Sequence, residues 1–371
     1  MGRAFDHRLF RKADKVVAEL VGRGIDQDEA IERVETAILG QVDKSADTIV
    51  RDLLATEADF LAQERTIRQG FEERLRADWG EAFDAFYVAA YCVAEAGDRF
   101  LDRHEAKVTR RGDSVFQVLA GLHARARRVA FEIHRLLTGG YPLGALARTR
   151  TLHELAVTAF IIGEFGRRNE HSDLAQRYID HDAIARSHYV REYQATAAHS
   201  NLPPIPAQEV EAIERRRTAL VSTYGRDFKE ANGWAATLTQ SGRAPKFQQL
   251  EDLAQLSHLR SEYQWMCWEV HAGAIGLAVN LVERGQQLVT LPGPTNVGLG
   301  NPGIRALASL AQTTCAFFVD GNPNREVDSI DLLSMRALEK LIDRFGPLAG
   351  IAEQRILLRE QELSRQRSAT T

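Results

Sequence analysis

Residues 142–166 read PLGALARTRTLHELAVTAFIIGEFG, a segment that is apolar on almost every side and yet carries Arg148, Arg150, His153 and Glu154. The opening proline predicts the first turn of a helix, where proline is tolerated. A helix that is apolar all round belongs in the centre of a domain. Charged groups at such a place need partners, and those partners serve either architecture or chemistry.

Helical periodicity recurs along the chain and predicts an all-α fold. Over residues 115–136, for example, apolar side chains return every three or four positions. We expect a multi-helix core, orthogonal or bundle-like, over residues 80–350. A helical N-terminal extension, residues 1–79, precedes it and is a candidate for mediating a homodimer. A C-terminal helix with a frayed tail, residues 351–371, follows it.

Several boundaries within this fold are predicted from single residues. Asp26 is placed to cap the second helix. The Asp-Trp-Gly of residues 78–80 predicts a break after a long charged amphipathic helix. One helix is expected from Phe247 to about Glu283, and the turn-rich residues 288–303 predict an extended segment with a short hairpin.

The composition excludes several classes of protein. Among 371 residues, 44% are hydrophobic and 26% are charged, which excludes a disordered chain. No apolar run approaches the roughly 18 residues of a membrane span, so no membrane partner is expected. The three cysteines lie far apart and form no Cys-x-x-Cys pair, and the N-terminus has no apolar signal segment. Both features predict a protein of the reducing cytoplasm.

Positive charge is concentrated in the middle of the chain. Between Asp98 and Arg150 there are eleven Lys or Arg against five acidic residues, a net charge of +6 in a chain whose total is -4. Such a run is either a solvated helix face or a surface that binds phosphate groups. If these arginines line the same cleft as His153, a functional polar site gains support, whereas arginines scattered over the exterior favour a non-catalytic scaffold.

Two groups of residues are candidates for a functional site. Arg150 and Glu154 lie four apart on the central helix, with His153 beside them, and they form either a buried structural pair or the wall of a cleft. Further along, Tyr263, Cys267 and His271 share one helical stripe. A Cys and a His at this spacing can share a proton, although cysteine is also among the most buried residue types and a lone pair at this spacing is a weak signal. Small residues after the histidine favour it as the site residue.

We expect these two helices to pack together, because each carries polar groups that cannot be left unpaired in an apolar environment. The imidazole of His271 should then lie within about 6 Å of a polar atom of Arg150 or Glu154, a reach of about two hydrogen bonds.

No metal or other cofactor is predicted. The most suggestive ligand set is His181, His188 and Glu192, but the stretch is polar throughout and solvent-facing histidines are the commoner outcome. The sequence also lacks a Walker A motif, a dinucleotide-binding glycine motif in strand context, His-Glu-x-x-His and Gly-x-Ser-x-Gly.

Two spacings resemble an uncharacterised bacterial family, number 5677 among the domains of unknown function. They are Arg150-Thr-Leu-His-Glu154, which follows Gly-Gly-Tyr-Pro, and the Tyr263, Cys267 and His271 series. The resemblance covers about residues 115–285 and implies that Arg150, Glu154, Tyr263 and His271 are the matching positions. It implies no reaction. Cys267 stands where a serine is expected.

A looser resemblance is to the helical ribonuclease modules of toxin and phage-defence systems, whose signature is an Arg and a His separated by four to six residues. Arg148 and His153 fit that spacing. The resemblance implies that His153 is a general acid or base and that Arg148 stabilises the phosphate.

The leading functional hypothesis is a polar site that binds or processes a phosphate-bearing ligand such as RNA. Its catalytic candidates are Arg150, His153, Glu154 and His271, and its substrate-binding candidates are Arg148, Tyr263 and Cys267. The alternative is a non-catalytic helical scaffold or sensor in which the same Arg-Glu-His network is structural.

Overall fold

The computed structural model describes residues 8–370 except 41, 198, 200–201, 272, 280, 285–286, 291 and 323–326. The described chain is all-α apart from one two-stranded hairpin, which confirms the predicted fold class. The helices are α1 (Arg8–Gly22), α2 (Gln27–Leu39), α3 (Val42–Ala55), α4 (Glu57–Arg111), α5 (Ser114–Thr138), α6 (Pro142–Gly166), α7 (Leu174–Asp180), α8 (Asp182–Thr196), α9 (Ala207–Tyr224), α10 (Phe247–Leu253), α11 (Arg260–Trp268), α12 (Ala274–Val279), α13 (Gly300–Asp320), α14 (Ser329–Asp343) and α15 (Phe345–Thr370). Short 3₁₀ turns lie at Asn169–His171, Arg226–Lys229, Gly233–Leu238 and Ser257–Leu259.

The chain divides into two compact units, and the boundary between Arg74 and Leu75 falls inside α4. In the first unit, the side chain of Asp26 caps α2 by accepting a hydrogen bond from the Asp28 amide at 2.9 Å, as predicted. This unit also exposes apolar side chains, including Leu39 and Leu54.

Helix α4 does not break at residues 78–80, so the break predicted there is wrong. Two tertiary contacts in the second unit outweigh the local cost of Gly80. Trp79 is fully buried and donates a hydrogen bond to the carbonyl of Asn296 at 2.9 Å. Both carboxylate oxygens of Asp78 accept hydrogen bonds from Arg359. A single glycine costs a helix only about 1 kcal/mol relative to alanine, which such contacts readily offset.

The core of the second unit forms where α5, α6 and α13 pack together. Helix α6 buries side chains around most of its circumference, from Ala145 to Ile162, and leaves one half-open face that carries Thr151, Glu154 and Thr158. Close packing on α13 requires a glycine at Gly303, because a Cβ atom there would lie 2.2 Å from Cζ of Phe345. The central position of α6 fixes where its charged residues lie.

The segment predicted as one helix from Phe247 to Glu283 is interrupted, which corrects that expectation. It forms α10, a 3₁₀ turn, α11 and α12, and then strand β1 (Leu281–Arg284), which pairs antiparallel with β2 (Gln287–Thr290). After α11 the backbone turns tightly, with the Gly273 amide donating to the carbonyl of His271 at 2.7 Å. Glycines at 273 and 276 weaken any continued helix. The hairpin therefore begins earlier than residues 288–303.

Among the described residues, no helix is both long and apolar enough to cross a bilayer. Cys92, Cys267 and Cys315 are all free thiols.

Candidate functional site

Arg150 and Glu154 form an ion pair on one face of α6. Nη2 of Arg150 lies 3.0 Å from Oε1 of Glu154, as expected for residues four apart on a helix. Their side chains are 24% and 37% exposed, so the pair is half-open to solvent and not the fully buried pair that the apolar helix predicts.

Tyr263 of α11 joins this pair and ties α11 to α6. Its hydroxyl donates to Oε1 of Glu154 at 2.8 Å and accepts from Nε of Arg150 at 3.3 Å. The expected packing of the two helices is therefore present. Burial, together with the hydrogen bond to Glu154, raises the pKa of Tyr263 well above its ordinary value, although the hydrogen bond from Arg150 opposes this shift. The phenol stays protonated at neutral pH and acts as a donor.

The charge of Arg150 is held in place by the same contacts. Partial burial opposes the charged form, but the hydrogen bond to Tyr263 and the carboxylate of Glu154 outweigh burial and raise the pKa of Arg150. Its guanidinium carbon also lies 5.5 Å from the centre of the Tyr263 ring, within the range of a cation–π contact. Arg150 is therefore a fixed cation with its planar group held at two points.

His153 contacts a different residue, Glu251, and solvent does not reach this contact. Its Nε2 atom lies 2.9 Å from Oε1 of Glu251 on α10, and the two side chains are 1% and 0% exposed. The second oxygen of Glu251 accepts a hydrogen bond from Arg260 at 2.6 Å. This buried carboxylate is thus held from both sides, as a buried charge requires.

The two networks meet at the ring of Tyr263. The ring centre lies 5.4 Å from that of His153 and 4.7 Å from that of Phe247, and the guanidinium carbon of Arg260 lies 5.3 Å away. Tyr263 therefore contacts both networks. Its hydroxyl binds the half-exposed Arg150–Glu154 pair, and its ring packs against His153 and Arg260 of the buried network.

The open pair forms the wall of a cleft of about 370 Å³, which we call the Arg150 cleft. It is lined by Arg125, Arg150, Thr151, Glu154, Leu155, Thr158, Tyr178, Asn232, Trp234, Phe247, Leu250 and Tyr263. The lining combines two guanidinium groups, one carboxylate and several aromatic rings. Such a combination can hold an anionic ligand that also carries a flat ring.

Arg125 of α5 is the cation in this cleft that no carboxylate neutralises. Its side chain is exposed, and no hydrogen bond or ion pair joins it to another residue in the described part of the chain. Arg150, in contrast, is paired with Glu154. Oε1 of Glu154 takes both of these protein contacts, and Oε2 takes part in neither.

The remaining predicted residues do not line the cleft. Arg148 pairs with Glu132 of α5, with Nε to Oε2 at 2.8 Å. Cys267 packs against the buried cluster that contains Tyr263. His271 lies beyond the end of α11 and is exposed, and no hydrogen bond joins its imidazole to Arg150 or Glu154. The helical stripe that placed His271 beside Tyr263 ends at Trp268.

Most arginines of the basic stretch whose side chains are described have partners elsewhere. Arg99 pairs with Glu95, Arg103 with Asp331, Arg127 with Asp98, and Arg128 and Arg148 with Glu132. Only Arg125 and Arg150 of the described side chains in that stretch line the Arg150 cleft. The charge run is therefore largely a set of ion pairs, with two arginines at the cleft. His153 is buried and does not line that cleft, so the arginines do not share a cleft with it, and most of the described run fits the scaffold alternative.

The suggested metal set is not assembled. His188 and Glu192 are exposed and 3.9 Å apart, whereas His181 bonds to the carbonyl of Glu230. A different cluster in the described chain, formed by His104, Asp328 and Asp331, brings three ligand atoms within 4.8 Å of one another. The guanidinium of Arg103 already pairs with Asp331, so a metal ion would compete with it. That no metal is bound tightly stays a prediction.

Comparison with known proteins gives a family match to the region that builds the cleft. Residues 116–288 match the model of a family of unknown function, DUF5677. The matched region covers a little less than half of the chain and contains every residue that lines the Arg150 cleft. No curated protein and no solved structure matches the chain. The likeness to helical ribonuclease modules finds no support, since Arg148 and His153 bond to different partners.

Several residues of the site carry no signal in the sequence. Glu251 lies in the ordinary amphipathic segment FQQLEDL, and Arg260 follows a 3₁₀ turn. Arg125 is one of eleven basic residues in its stretch. Only the unusual placement of a charge in a largely buried helix, as for Arg150, marks a residue before the fold is known.

Proposed function

We propose that the Arg150 cleft binds a phosphate-bearing ligand such as RNA. The observation that carries the proposal is Arg125, an unpaired guanidinium beside Arg150 in a cleft with aromatic walls. Arginine presents a planar fork of donors that matches phosphate oxygens. Because Glu154 already neutralises Arg150, the charge of Arg125 remains for a ligand.

Other groups of the cleft suit a nucleotide. The half-buried ring of Phe247 offers a surface for base stacking, which is worth about 1–3 kcal/mol per base. Oε2 of Glu154 can accept a hydrogen bond from a ribose hydroxyl or a base amine. The Tyr263 hydroxyl donates to Glu154 and accepts from Arg150, and it keeps both residues in position.

The buried His153 has a positioning role in this proposal, since a side chain that is 1% exposed cannot contact a ligand in the cleft. Its contact with Glu251 supports α10 against α6. Any processing of the ligand would then depend on Glu154 as the acceptor, while Tyr263, whose hydroxyl donates to Glu154, holds that carboxylate in place. The competing function, a scaffold without a ligand, gives the same buried network and an empty cleft.

Binding of a fluorescent single-stranded RNA oligonucleotide, measured by anisotropy at two or more salt concentrations, tests the proposal. Arg125→Ala should weaken binding about tenfold or more, since hydrogen bonds to charged groups contribute about 1.5–3 kcal/mol. The substitution should also reduce the slope of log K against log salt concentration by about one, since one phosphate contact is lost. Arg128→Ala is the matched control, because Arg128 lies on the same helix and is exposed.

Equal affinity for the Arg125 and Arg128 variants, or no binding by the unmodified protein, would favour the scaffold function.

Self-association through the N-terminal unit is a separate proposal. It rests on the large exposed fractions of Leu39, 72%, and Leu54, 61%. Light scattering of the full chain should give the mass of a dimer, and Leu39→Gln with Leu54→Gln should reduce it to that of a monomer.

A further inference from the structure

A second cleft adjoins the Arg150 cleft. It has a volume of about 650 Å³ and is lined by Gln117, Val118, Gly121, Leu122, Arg125, Tyr178, Ile179, His181, Asp182 and Ala185. We call it the Gln117 cleft. Arg125 and Tyr178 line both clefts and so lie where the two meet; we call these two side chains the partition. A ligand that occupies both clefts must cross these two side chains.

Both side chains of the partition are hydrogen-bond donors without a protein acceptor. Within the described residues, neither the guanidinium of Arg125 nor the hydroxyl of Tyr178 makes a hydrogen bond. The phenol ring is held in place by an edge contact with Trp234, with ring centres 5.1 Å apart. Two donors at one place, one of them charged, are suited to an anion.

The carboxylates of the two clefts do not provide that anion. Glu154 is engaged by Arg150 and Tyr263. Asp182 accepts a hydrogen bond from Arg186 at 2.6 Å. The partition therefore keeps its positive charge, and the negative charge that it can bind must come from a ligand.

Taking the proposed function as its basis, we infer that a phosphodiester group lies across the Arg125–Tyr178 partition with one nucleoside in each cleft. The Arg150 cleft offers aromatic rings for one nucleoside. The Gln117 cleft offers an apolar surface at Val118, Leu122 and Ile179, together with the amide of Gln117. The ligand is then a single-stranded nucleic acid of at least two nucleotides.

The test compares two ligands that carry the same phosphodiester and the same charge. The dinucleotide ApA has a nucleoside on each side of the phosphate, whereas adenosine 3′-(methyl phosphate) has only one. The unmodified protein should bind ApA about tenfold more tightly in calorimetry, because the second nucleoside adds its own stacking and burial.

Gly121 provides a variant that blocks the Gln117 cleft alone. It is exposed on α5 and lines that cleft, and a Cβ atom built there meets nothing within 4 Å, so a larger side chain can start there without moving the backbone, as in Gly121→Phe. This variant should reduce ApA binding to the level of the methyl phosphate and leave the latter unchanged. Gly121→Ala, which leaves most of the cleft open, should keep the preference for ApA.

Equal binding of ApA and the methyl phosphate by the unmodified protein would overturn the inference, and so would a preference that survives Gly121→Phe. If the methyl phosphate still binds and depends on Arg125, the proposed function stands while the inference fails. If neither ligand binds, both fail. The deoxyribose dinucleotide dApdA determines which sugar the protein prefers. Binding about tenfold weaker than that of ApA identifies RNA as the ligand, and equal binding identifies single-stranded nucleic acid of either sugar. Both results support the inference.

Discussion

The imidazole of His153 and the carboxylate of Glu251 meet at 2.9 Å, from Nε2 to Oε1, in an environment that excludes solvent from both side chains. The two residues are 98 positions apart in the sequence. Their contact fastens α10 to the central helix, and Arg260 completes it from α11. Such a network stabilises one arrangement of the helices, because losing any member leaves a buried polar group without a partner.

Glu251→Ala should therefore lower the free energy of unfolding by about 3 kcal/mol or more, the usual effect of removing one partner of a buried charged pair. Urea denaturation of the two proteins measures this difference. Glu192→Ala is the control, since Glu192 is 72% exposed, and it should change stability by less than about 0.5 kcal/mol. A Glu251 variant as stable as the control would show that the network adds little to the fold.

Tyr263→Phe removes the hydroxyl that connects Arg150 with Glu154 and keeps the ring that packs on Phe247. Because the ion pair remains and water can reach it, stability should fall by only about 1 kcal/mol. For the same reason Glu154→Ala should cost about 1 kcal/mol and not the 3 kcal/mol of a buried pair.

The same Tyr263 variant tests the ionisation of the phenol. Burial and Glu154 raise the pKa of Tyr263, so the native protein holds that proton above the pH at which an ordinary tyrosine loses it. In an ultraviolet titration, the tyrosine missing from the variant should be one of the last to ionise. Loss of a signal near pH 10 instead, the ordinary value, would contradict the described contacts.

The open and sealed networks differ in how far the sequence predicts them. The packing of α11 on α6 could be expected, because each helix carried polar groups in need of partners. The residue that meets Arg150 and Glu154 is Tyr263, however, and not His271, for which the contact was expected. Glu251 could not be identified, since nothing local distinguishes it from an exposed glutamate. Its burial depends on how α10 packs on α6, which is a tertiary property.

Local signals also failed where tertiary contacts outweigh them. Gly80 predicts a helix break, yet the burial of Trp79 and the pairing of Asp78 with Arg359 keep α4 continuous. Conversely, the stripe from Tyr263 to His271 assumes a helix that ends at Trp268. Periodicity identifies which residues share the face of a helix but not where the helix ends. His271 would share a face with Tyr263 only if the helix continued beyond Trp268.

His123 should make the protein sensitive to acid. Burial, with a smaller contribution from Arg127, lowers the pKa of His123 to about 3, although Asp98 opposes the shift. Between the ordinary value of about 6.5 and this value, the unfolded chain binds a proton that the native protein does not. Stability should therefore fall with decreasing pH across that window, by about 1.4 kcal/mol per pH unit from this group.

Denaturation at pH 6, 5 and 4 measures this slope. In His123→Leu the change of unfolding free energy with pH should be smaller by about 1.4 kcal/mol per pH unit, the contribution of one proton. In His188→Leu, at an exposed position, it should be unchanged. Burial also lowers the pKa of His134 and of His181, but both residues remain in both variants and their contributions cancel. An unchanged slope in the His123 variant would mean that this histidine is protonated in the native protein.

Two glycines in helices should respond in opposite directions to the same substitution. At Gly303 of α13 an added Cβ would lie 2.2 Å from Cζ of the buried Phe345, so Gly303→Ala forces the ring or the helix to move. Overpacking of this kind costs about 1–3 kcal/mol.

At Gly121 of α5 nothing lies within 4 Å of the added atom, and Gly121→Ala should stabilise the protein by up to about 1 kcal/mol through helix propensity. Combining Gly303→Ala with Phe345→Leu should recover part of the lost stability, because the smaller side chain relieves the contact. Thermal and urea unfolding of the three variants checks both signs, and a Gly303 variant that is more stable than the unmodified protein would show that α13 and α15 do not approach this closely.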